Sequence, residues 1–328
     1  MEFTKMHGLE NDYIYINTFQ ERVANPSQLA RAVSDRHSGV GSDGLILVGA
    51  PNAKVATDVA AEVATDVAAE AAADVGMRIF NADGSEAQMC GNGIRCVAKF
   101  AVERGLSRKN PLRIQTQRGT LAVSWRADAH GKVQEVSVDM GLPILEMRLI
   151  PAKIPGIAAD SHVVCVEWPA SWWTFDANVT ASNFSHWKNS CGFDGKVSLV
   201  SMGNPHAIFW CDDVSKVPLE IVGPLIEHHS AFPQRMNAHF AQRESDSRVT
   251  MRTWERGSGI TRACGTGACA VLVAGALEGK LSQKCQVLLP GGALQVEWAG
   301  PSHCVIMTGP AVEVCRGTLS NELAQKAN

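Results

Sequence analysis

Short segments in which apolar and polar residues alternate recur in both halves of this chain. Leu121 to Trp125, Val136 to Met140 and Leu294 to Trp298 follow a period of two, which is typical of strands with one buried face. Two other segments repeat apolar residues at the i, i+3, i+4 spacing of a helix. Their apolar positions are Ile94, Val97, Ala98, Ala101 and Val102 in the first segment, and Ala268, Val271, Leu272 and Ala276 in the second. Strands around one apolar helix, found twice, predict an α+β fold of two similar units.

The two halves of the chain resemble each other in sequence, which indicates an internal duplication. Met77 to Phe80 precedes Cys90 by the same distance as Met251 to Trp254 precedes Cys264. Glycines follow both cysteines at matching positions, and Gly105 and Gly279 close the two predicted helices as C-caps. Upstream the correspondence continues at a larger offset, where Asn11 aligns with Asn204.

The duplication sets the expected domain boundaries. We expect residues 1–139 to form the first domain, with the C-terminal strand 311–328 packing back on it, and residues 140–310 to form the second. The first half contains an insert near residues 52–74, in which Val55 to Glu62 is repeated as Val63 to Glu70. Alanine favours a short helix there, but an eight-residue period drifts around a helix face. We interpret the insert as a surface excursion without a catalytic role.

Composition excludes several classes of protein. The 328 residues carry a formal net charge of −3 and show no basic stripe, so no nucleic-acid partner is expected. No uncharged run is long enough to cross a bilayer, and the N-terminus has no apolar signal core, so no membrane partner is expected either. The expected location is therefore the cytoplasm, or the plastid if a transit peptide has been removed.

Cys90 and Cys264 carry the candidate chemistry. Each stands with glycines at the start of an apolar helix, in Cys90-Gly91-Asn92-Gly93 and Cys264-Gly265-Thr266-Gly267. The first backbone N–H groups of a helix are positively polarised and unpaired, so they favour a carboxylate ligand and a thiolate. Inversion of an amino-acid carbon removes a proton on one face and returns one on the other. Two duplicated thiols provide the two groups that this reaction needs, without a cofactor.

Other interpretations of the cysteines remain. Either one alone is explained equally well as a buried structural residue before a helix, and the matched pair is what favours chemistry. The spacings do not provide the paired C-x(2–4)-C ligands of a structural zinc site, so no metal is expected. A redox sensor with reactive thiols is a further alternative.

With these motifs in view, the chain resembles the diaminopimelate epimerases over nearly its whole length, with the plant and algal branch as the nearest likeness. The motifs that carry the resemblance are Lys5 to Gly8, Asn11-Asp12, Asn81 to Glu86, Met89 to Gly93, Met202 to His206, Asn237-Ala238, Glu255 to Gly257, Ala263 to Ala268, Leu289 to Gly292 and Met307 to Gly309. The resemblance implies cofactor-independent interconversion of LL- and meso-2,6-diaminoheptanedioate in lysine biosynthesis. It also implies two pseudosymmetric domains, each a barrel-like mixed sheet around a helix, with the active site in the cleft between them, and a homodimer.

The resemblance further implies roles for individual residues. Cys90 and Cys264 would be the acid/base pair, assisted by His206 and Glu255. The expected substrate-binding residues are Asn11, Asn81, Gly91, Asn92, Asn204, Asn237, Arg256, Gly265 and Thr266. His206 also fits by its chemistry, because an imidazole can accept a thiol proton. From the residue types alone, a turn residue is the better explanation of each lone asparagine.

Two positions depart from the family pattern. Gly44 stands where many bacterial relatives have glutamine, so a side-chain contact is lost. Glu10 stands where glycine is common. The alternatives in the same fold are a proline or hydroxyproline racemase, which shares the paired cysteines, and a phenazine-type relative, which lacks them.

Overall fold

The structure is a computed structural model that describes residues 1–52, 73–87, 90–173 and 186–327. They fall into two compact units, Met1–Asp139 with Thr308–Asn328, and Met140–Met307. The repeated insert sequence, Val55 to Glu70, lies outside the described residues, and so does Met89. The interpretation of the insert as a surface excursion stays a prediction.

The first unit is a mixed sheet with one enclosed helix and two outer helices. Its elements, numbered in chain order with those of the second unit, are β1 Glu2–Gly8, β2 Asn11–Asn17, α1 Pro26–Ser34, β3 Gly44–Gly49, β4 Val75–Asn81, β5 Glu86–Ala87, α2 Gly91–Glu103, β6 Leu112–Thr116, β7 Gly119–Ala127, β8 Val133–Asp139, β18 Val312–Thr318 and α6 Asn321–Gln325. The strand order is β18-β1-β2-β3-β4-β6-β7-β8, with β5 also on β4. The pairs β2–β3 and β4–β6 are parallel, and the others are antiparallel.

The second unit repeats this plan. Its elements are β9 Val166–Glu167, α3 Trp187–Cys191, β10 Lys196–Ser201, β11 Pro205–Trp210, α4 Leu219–Glu227, β12 Asn237–Ser245, β13 Arg248–Glu255, β14 Gly259–Thr261, α5 Gly265–Leu277, β15 Lys284–Leu289, β16 Gly292–Trp298 and β17 Val305–Gly309. The order β9-β10-β11-β12-β13-β15-β16 again has two parallel pairs, β11–β12 and β13–β15. The predicted α+β class, built from a duplicated mixed sheet, is confirmed.

The helix after each cysteine is enclosed by its own sheet. Helix α2 contacts β1, β2, β3, β4, β6, β7 and β8, and helix α5 contacts β10, β11, β12, β15 and β16. Most of both helices is therefore buried, α5 from Gly265 to Gly275 apart from Thr266. The predicted helices are confirmed, but the expected single apolar stripe is too narrow a description, because the sheet covers most of each helix. Gly105 and Gly279 adopt the left-handed conformation (φ +69° and +68°) that a C-cap glycine favours.

The outer helices cover the other face of each sheet. In the first unit, Leu29 and Val33 of α1 pack on Ile14, Leu45 and Phe80. In the second, α4 joins a cluster of stacked and edge-on aromatic rings, formed by Trp168, Trp172, Trp173, Trp187, Phe193, Phe209, Phe232 and Phe240. Burial of this apolar area is the main favourable term for folding each unit.

Among the described residues, no helix is both long and apolar enough to span a bilayer.

Gly223 lets helix α4 lie directly on the indole of Trp254. A Cβ built on Gly223 would approach Cδ2 of that ring to 2.4 Å. The indole cannot easily turn away, because its Nε1 donates to the Glu227 carboxylate over 2.7 Å. The next residue along β13 is Glu255, so this contact also supports the candidate site.

We predict that Gly223→Ala lowers the free energy of unfolding by about 1–2 kcal/mol, because the clash outweighs the gain in helix propensity. Urea unfolding followed by circular dichroism measures the change. Glu220→Ala, on the exposed side of the same helix, is the matched control and should stay within about 0.5 kcal/mol of the parent. A Gly223→Ala variant as stable as the parent would show that α4 can shift off the ring.

Candidate active site

In the first unit, Cys90 is the N-cap of α2. Its backbone is extended (φ −140°, ψ 116°), and its sulfur accepts the Gly93 N–H over 3.3 Å. The sulfur also lies 3.5 Å from Oδ1 of Asn11, which accepts a second bond from Nδ2 of Asn92 over 3.4 Å. Three of the predicted site residues, Cys90, Asn11 and Asn92, are therefore brought together, and Gly91 is buried beside them.

Tyr13 is a neighbour of Cys90 that the sequence analysis did not identify. It is buried on β2, and its hydroxyl lies beside Cys90 and Asn11, both of which affect its pKa. Burial raises the pKa of Tyr13 well above its ordinary value, and the adjoining Cys90 and Asp43 raise it further. The duplication contained the signal, because Tyr13 aligns with His206 at the offset that aligns Asn11 with Asn204.

Gly44 leaves the space that the Tyr13 ring fills. A Cβ on Gly44 would lie 2.9 Å from Cε1 of Tyr13 and 2.1 Å from the Phe80 carbonyl oxygen. A glutamine therefore does not fit at this position in this chain. The other departure, Glu10, follows Leu9 in a tight β1–β2 turn where both residues have positive φ (62° and 58°). That conformation explains why glycine is common there.

Arg95 is a second residue that the sequence analysis did not identify. It stabilises the first turn of α2 from the buried side. Its side chain is fully buried. The guanidinium donates to the Gly91 carbonyl over 3.0 Å, to Oδ1 of Asn92 over 3.1 Å and to the Pro310 carbonyl over 3.1 Å. A buried arginine is costly unless its donors are satisfied, and here they fix the turn that carries Cys90.

Asn81 is placed differently from the other candidates of the first unit. It is exposed, and its Nδ2 donates to the Ser85 hydroxyl over 2.9 Å within its own turn. Its role as a substrate contact stays a prediction.

In the second unit, Cys264 is the N-cap of α5, again with an extended backbone (φ −127°, ψ 100°). Its thiol lies 3.3 Å from Oε2 of Glu255 and 3.7 Å from the Thr266 hydroxyl. The other oxygen of Glu255 accepts from Thr261 over 2.5 Å. Cys264, Glu255 and Thr266 therefore form a connected group, with Gly265 buried in the same turn.

Electrostatics at Cys264 differ from the thiolate expected at a helix N-terminus. Burial raises the pKa of Cys264 well above its ordinary value and the Glu255 carboxylate raises it further, against smaller opposing effects from the Gly267 N–H and Thr266. Burial also raises the pKa of Glu255. The expectation of thiolate character at Cys264 was wrong, because desolvation and a facing anion outweigh the helix field.

His206 lies in a buried chain of hydrogen bonds. Its Nε2 is 3.0 Å from Oδ1 of Asn204, and its Nδ1 is 2.8 Å from Nε2 of His239. His239 continues to the Thr253 hydroxyl over 3.0 Å, while Nδ2 of Asn204 donates to Thr266 over 3.3 Å. Burial lowers the pKa of His206 well below its ordinary value and that of His239 to about 3, so both rings are neutral near pH 7.

His239 was also missed from the sequence. Among the described residues, His206, His239 and Cys264 form the one group whose potential metal-ligand atoms all lie within 4.8 Å of one another. The facing ring nitrogens of the two histidines share a hydrogen bond, which already accounts for their approach.

Asn237 and Arg256 occupy the edge of the second unit's site. Asn237 is buried between the Pro205 carbonyl, to which it donates over 2.8 Å, and the Arg256 backbone N–H, from which it accepts over 3.0 Å. The Arg256 side chain is exposed and donates to the Gln234 carbonyl over 3.0 Å. Asn237 therefore positions the arginine, whose guanidinium points to the surface of the unit.

Solved structures with low sequence identity share this fold and define its class. A probable proline racemase from Agrobacterium radiobacter superposes with a TM-score of 0.61 over 98% of this chain and 93% of its own, at 14% identity. A phenazine biosynthesis protein from Bacillus anthracis superposes with a TM-score of 0.58 over 97% and 98%, at 15% identity. The chain thus shares the fold of these two proteins, here with a cysteine at the start of each enclosed helix.

Sequence comparison then defines the family. The family model for diaminopimelate epimerase matches residues 3–145 and 198–314. The diaminopimelate epimerase of Acetivibrio thermocellus is 44% identical over 98% of this chain and the whole of that protein. That of Methanococcus maripaludis strain C5 is 42% identical over 97% and 99%. This chain belongs to the diaminopimelate epimerase family, and the recognition made from its motifs is confirmed.

We predict that Glu255→Gln increases the reactivity of Cys264. The substitution removes the anion that raises the pKa of this thiol, and the glutamine amide can donate to the sulfur, so thiolate forms at lower pH. Peptide-resolved labelling with iodoacetamide between pH 7 and 10 measures the change. Exposed Cys315 in the same samples is the internal control, and Glu297→Gln is the control variant. Unchanged or slower labelling of Cys264 would contradict this account of its electrostatics.

Proposed function

We propose that this enzyme is an isomerase that interconverts LL- and meso-diaminopimelate without a cofactor, using Cys90 and Cys264 as a two-base pair. The observation that carries the proposal is the repeated cysteine N-cap on two enclosed, duplicated helices. Membership of the family and 44% identity to a full-length relative of that name support the choice of substrate.

The reaction begins with a substrate Cα–H that is a very weak acid. One cysteine, as thiolate, takes this proton, and the other, as thiol, returns a proton to the opposite face, so the carbon is inverted and one sulfur has gained what the other has lost. The carbanion needs preorganised dipoles and the exclusion of water. The N–H groups at Gly91, Asn92, Gly265 and Thr266 supply such dipoles at the two helix starts, where a carboxylate is favoured.

The environment of Cys264 supports its starting the cycle as the thiol. Burial and Glu255 both favour the protonated form. When the reverse reaction needs a thiolate here, Glu255 can take the proton over 3.3 Å, because its own raised pKa makes it a better acceptor than an ordinary carboxylate. Asn11, Asn81, Asn204, Asn237 and Arg256 are proposed to hold the amines and the distal carboxylate of the substrate.

Further proposals follow from the family. They are a role in lysine biosynthesis, a cytoplasmic location and a homodimer, the last of which light scattering after gel filtration can test.

We predict that Cys90→Ala and Cys264→Ala each reduce epimerisation at least about a thousandfold, because each removes the proton donor or acceptor on one face. The assay incubates the enzyme with LL-diaminopimelate in heavy water and follows Cα deuteration by proton NMR. Circular dichroism verifies the fold. The control is Cys315→Ala, an exposed cysteine on β18, which should retain full activity.

Near-parent turnover by either active-site variant would contradict the two-base mechanism. Proline serves as the control substrate: efficient exchange of its Cα proton, with none of diaminopimelate, would instead support the racemase alternative.

A further inference from the structure

The buried chain from Thr253 through His239 to His206 has one consistent direction. Both imidazoles are neutral, so each carries one proton and offers one acceptor nitrogen. Oδ1 of Asn204 can only accept, so the proton of His206 is on Nε2. Nδ1 of His206 must then accept from Nε2 of His239, and Nδ1 of His239 from the Thr253 hydroxyl.

We propose that His239 is a positioning residue for the epimerisation, which fixes the tautomer and the ring orientation of His206 beside Cys264. This inference rests on the proposed function for its assay but not for its spectroscopic test. His239 lies outside the motifs on which the family resemblance was based, the nearest of which is Asn237-Ala238.

The packing of His239 supports a fixed orientation. It is the third residue of β12 and has no exposed surface. A Cβ on Gly267, in the first turn of α5, would approach Cε1 of the ring to 2.3 Å, so the ring lies flush against that turn. Gly267 therefore admits the imidazole, and the strand below and helix above leave it no other position.

The first unit has an isoleucine at the position that corresponds to His239. Ile46 is the third residue of β3, and its Cδ1 lies 2.7 Å from where a Cβ on Gly93 would be. Isoleucine thus fills the corresponding place under the first turn of α2. The residue aligned with His206 there is Tyr13, whose hydroxyl can rotate to suit its partner and needs no fixed tautomer.

The fixed tautomer has a consequence for the mechanism. With Nδ1 of His206 accepting from His239, and its Nε2–H donating to Oδ1 of Asn204, the resting ring has no nitrogen left to accept the thiol proton. The assignment of His206 as an acceptor for Cys264 is therefore replaced by one in which it donates. Glu255 is the acceptor, and the Nε2–H of His206 holds Oδ1 of Asn204, so that Nδ2 of Asn204 donates to the Thr266 hydroxyl beside Cys264.

The test compares three forms of the full-length enzyme. His239→Ile copies the first unit, keeps the packing and removes the donor to His206. His239→Gln keeps an N–H donor near the same place. We expect kcat of His239→Ile to fall about tenfold or more, with KM within about threefold. Without a donor at residue 239, His206 spends part of its time as the Nδ1–H tautomer, which cannot donate to Asn204. His239→Gln should recover most of the loss.

Nitrogen-15 NMR of the imidazoles supplies a readout that does not depend on catalysis. The parent enzyme should show His206 as the Nε2–H tautomer, and His239→Ile should show a mixture of the two. If His206 of the parent is in the Nδ1–H form, or if folded His239→Ile keeps both kcat and the tautomer, the proposal is wrong. If no form of the enzyme has epimerase activity but His239→Ile still shifts the tautomer of His206, the proposed function is wrong and this inference about His239 stands.

Discussion

The enclosure of each cysteine-led helix by its own sheet is the constraint on which the site depends. A helix start has backbone N–H groups without internal partners, and a sheet that closes around the helix also removes most of the water that would satisfy them. The sulfur of Cys90 takes one of these groups, the Gly93 N–H. In the first unit, the buried Arg95 also stabilises the first turn of α2, because its guanidinium donates to the Gly91 and Asn92 oxygens.

The duplicated scaffold holds two chemically unequal thiols. Cys90 is partly exposed and is contacted by neutral groups, the Tyr13 hydroxyl and the Asn11 amide. Cys264 is buried and faces the Glu255 carboxylate. Because duplication copies the backbone but not the charge, Cys264 faces a carboxylate that favours its protonated form, whereas Cys90 lies beside the Asn11 amide.

Sequence periodicity predicted the elements well, because strand alternation and the apolar helix positions report burial directly. Both helices and the α+β class are confirmed, and Gly105 and Gly279 end the helices one residue later than predicted, just after the C-caps Arg104 and Glu278. The thiols and their glycines stood out because the duplication repeats them. His239 and Arg95 could not be found this way, since a polar side chain inside an apolar strand or helix carries no periodic signal of its partner. The predicted thiolate character of Cys264 failed for the same reason. The turn between β13 and β14 places Glu255 against this thiol, and the sequence pattern does not show that contact.

Tyr13 gives a structural reason for the departure from the family pattern at Gly44. Taken alone, the glycine means a lost side-chain contact at the site. In the fold it lies opposite Tyr13 in the parallel β2–β3 register, and a Cβ at residue 44 would approach Cε1 of the Tyr13 ring to 2.9 Å. The ring brings a hydroxyl to Cys90 and Asn11. In this chain the polar contact therefore comes from β2, and a glutamine at residue 44 would meet both this ring and the Phe80 carbonyl.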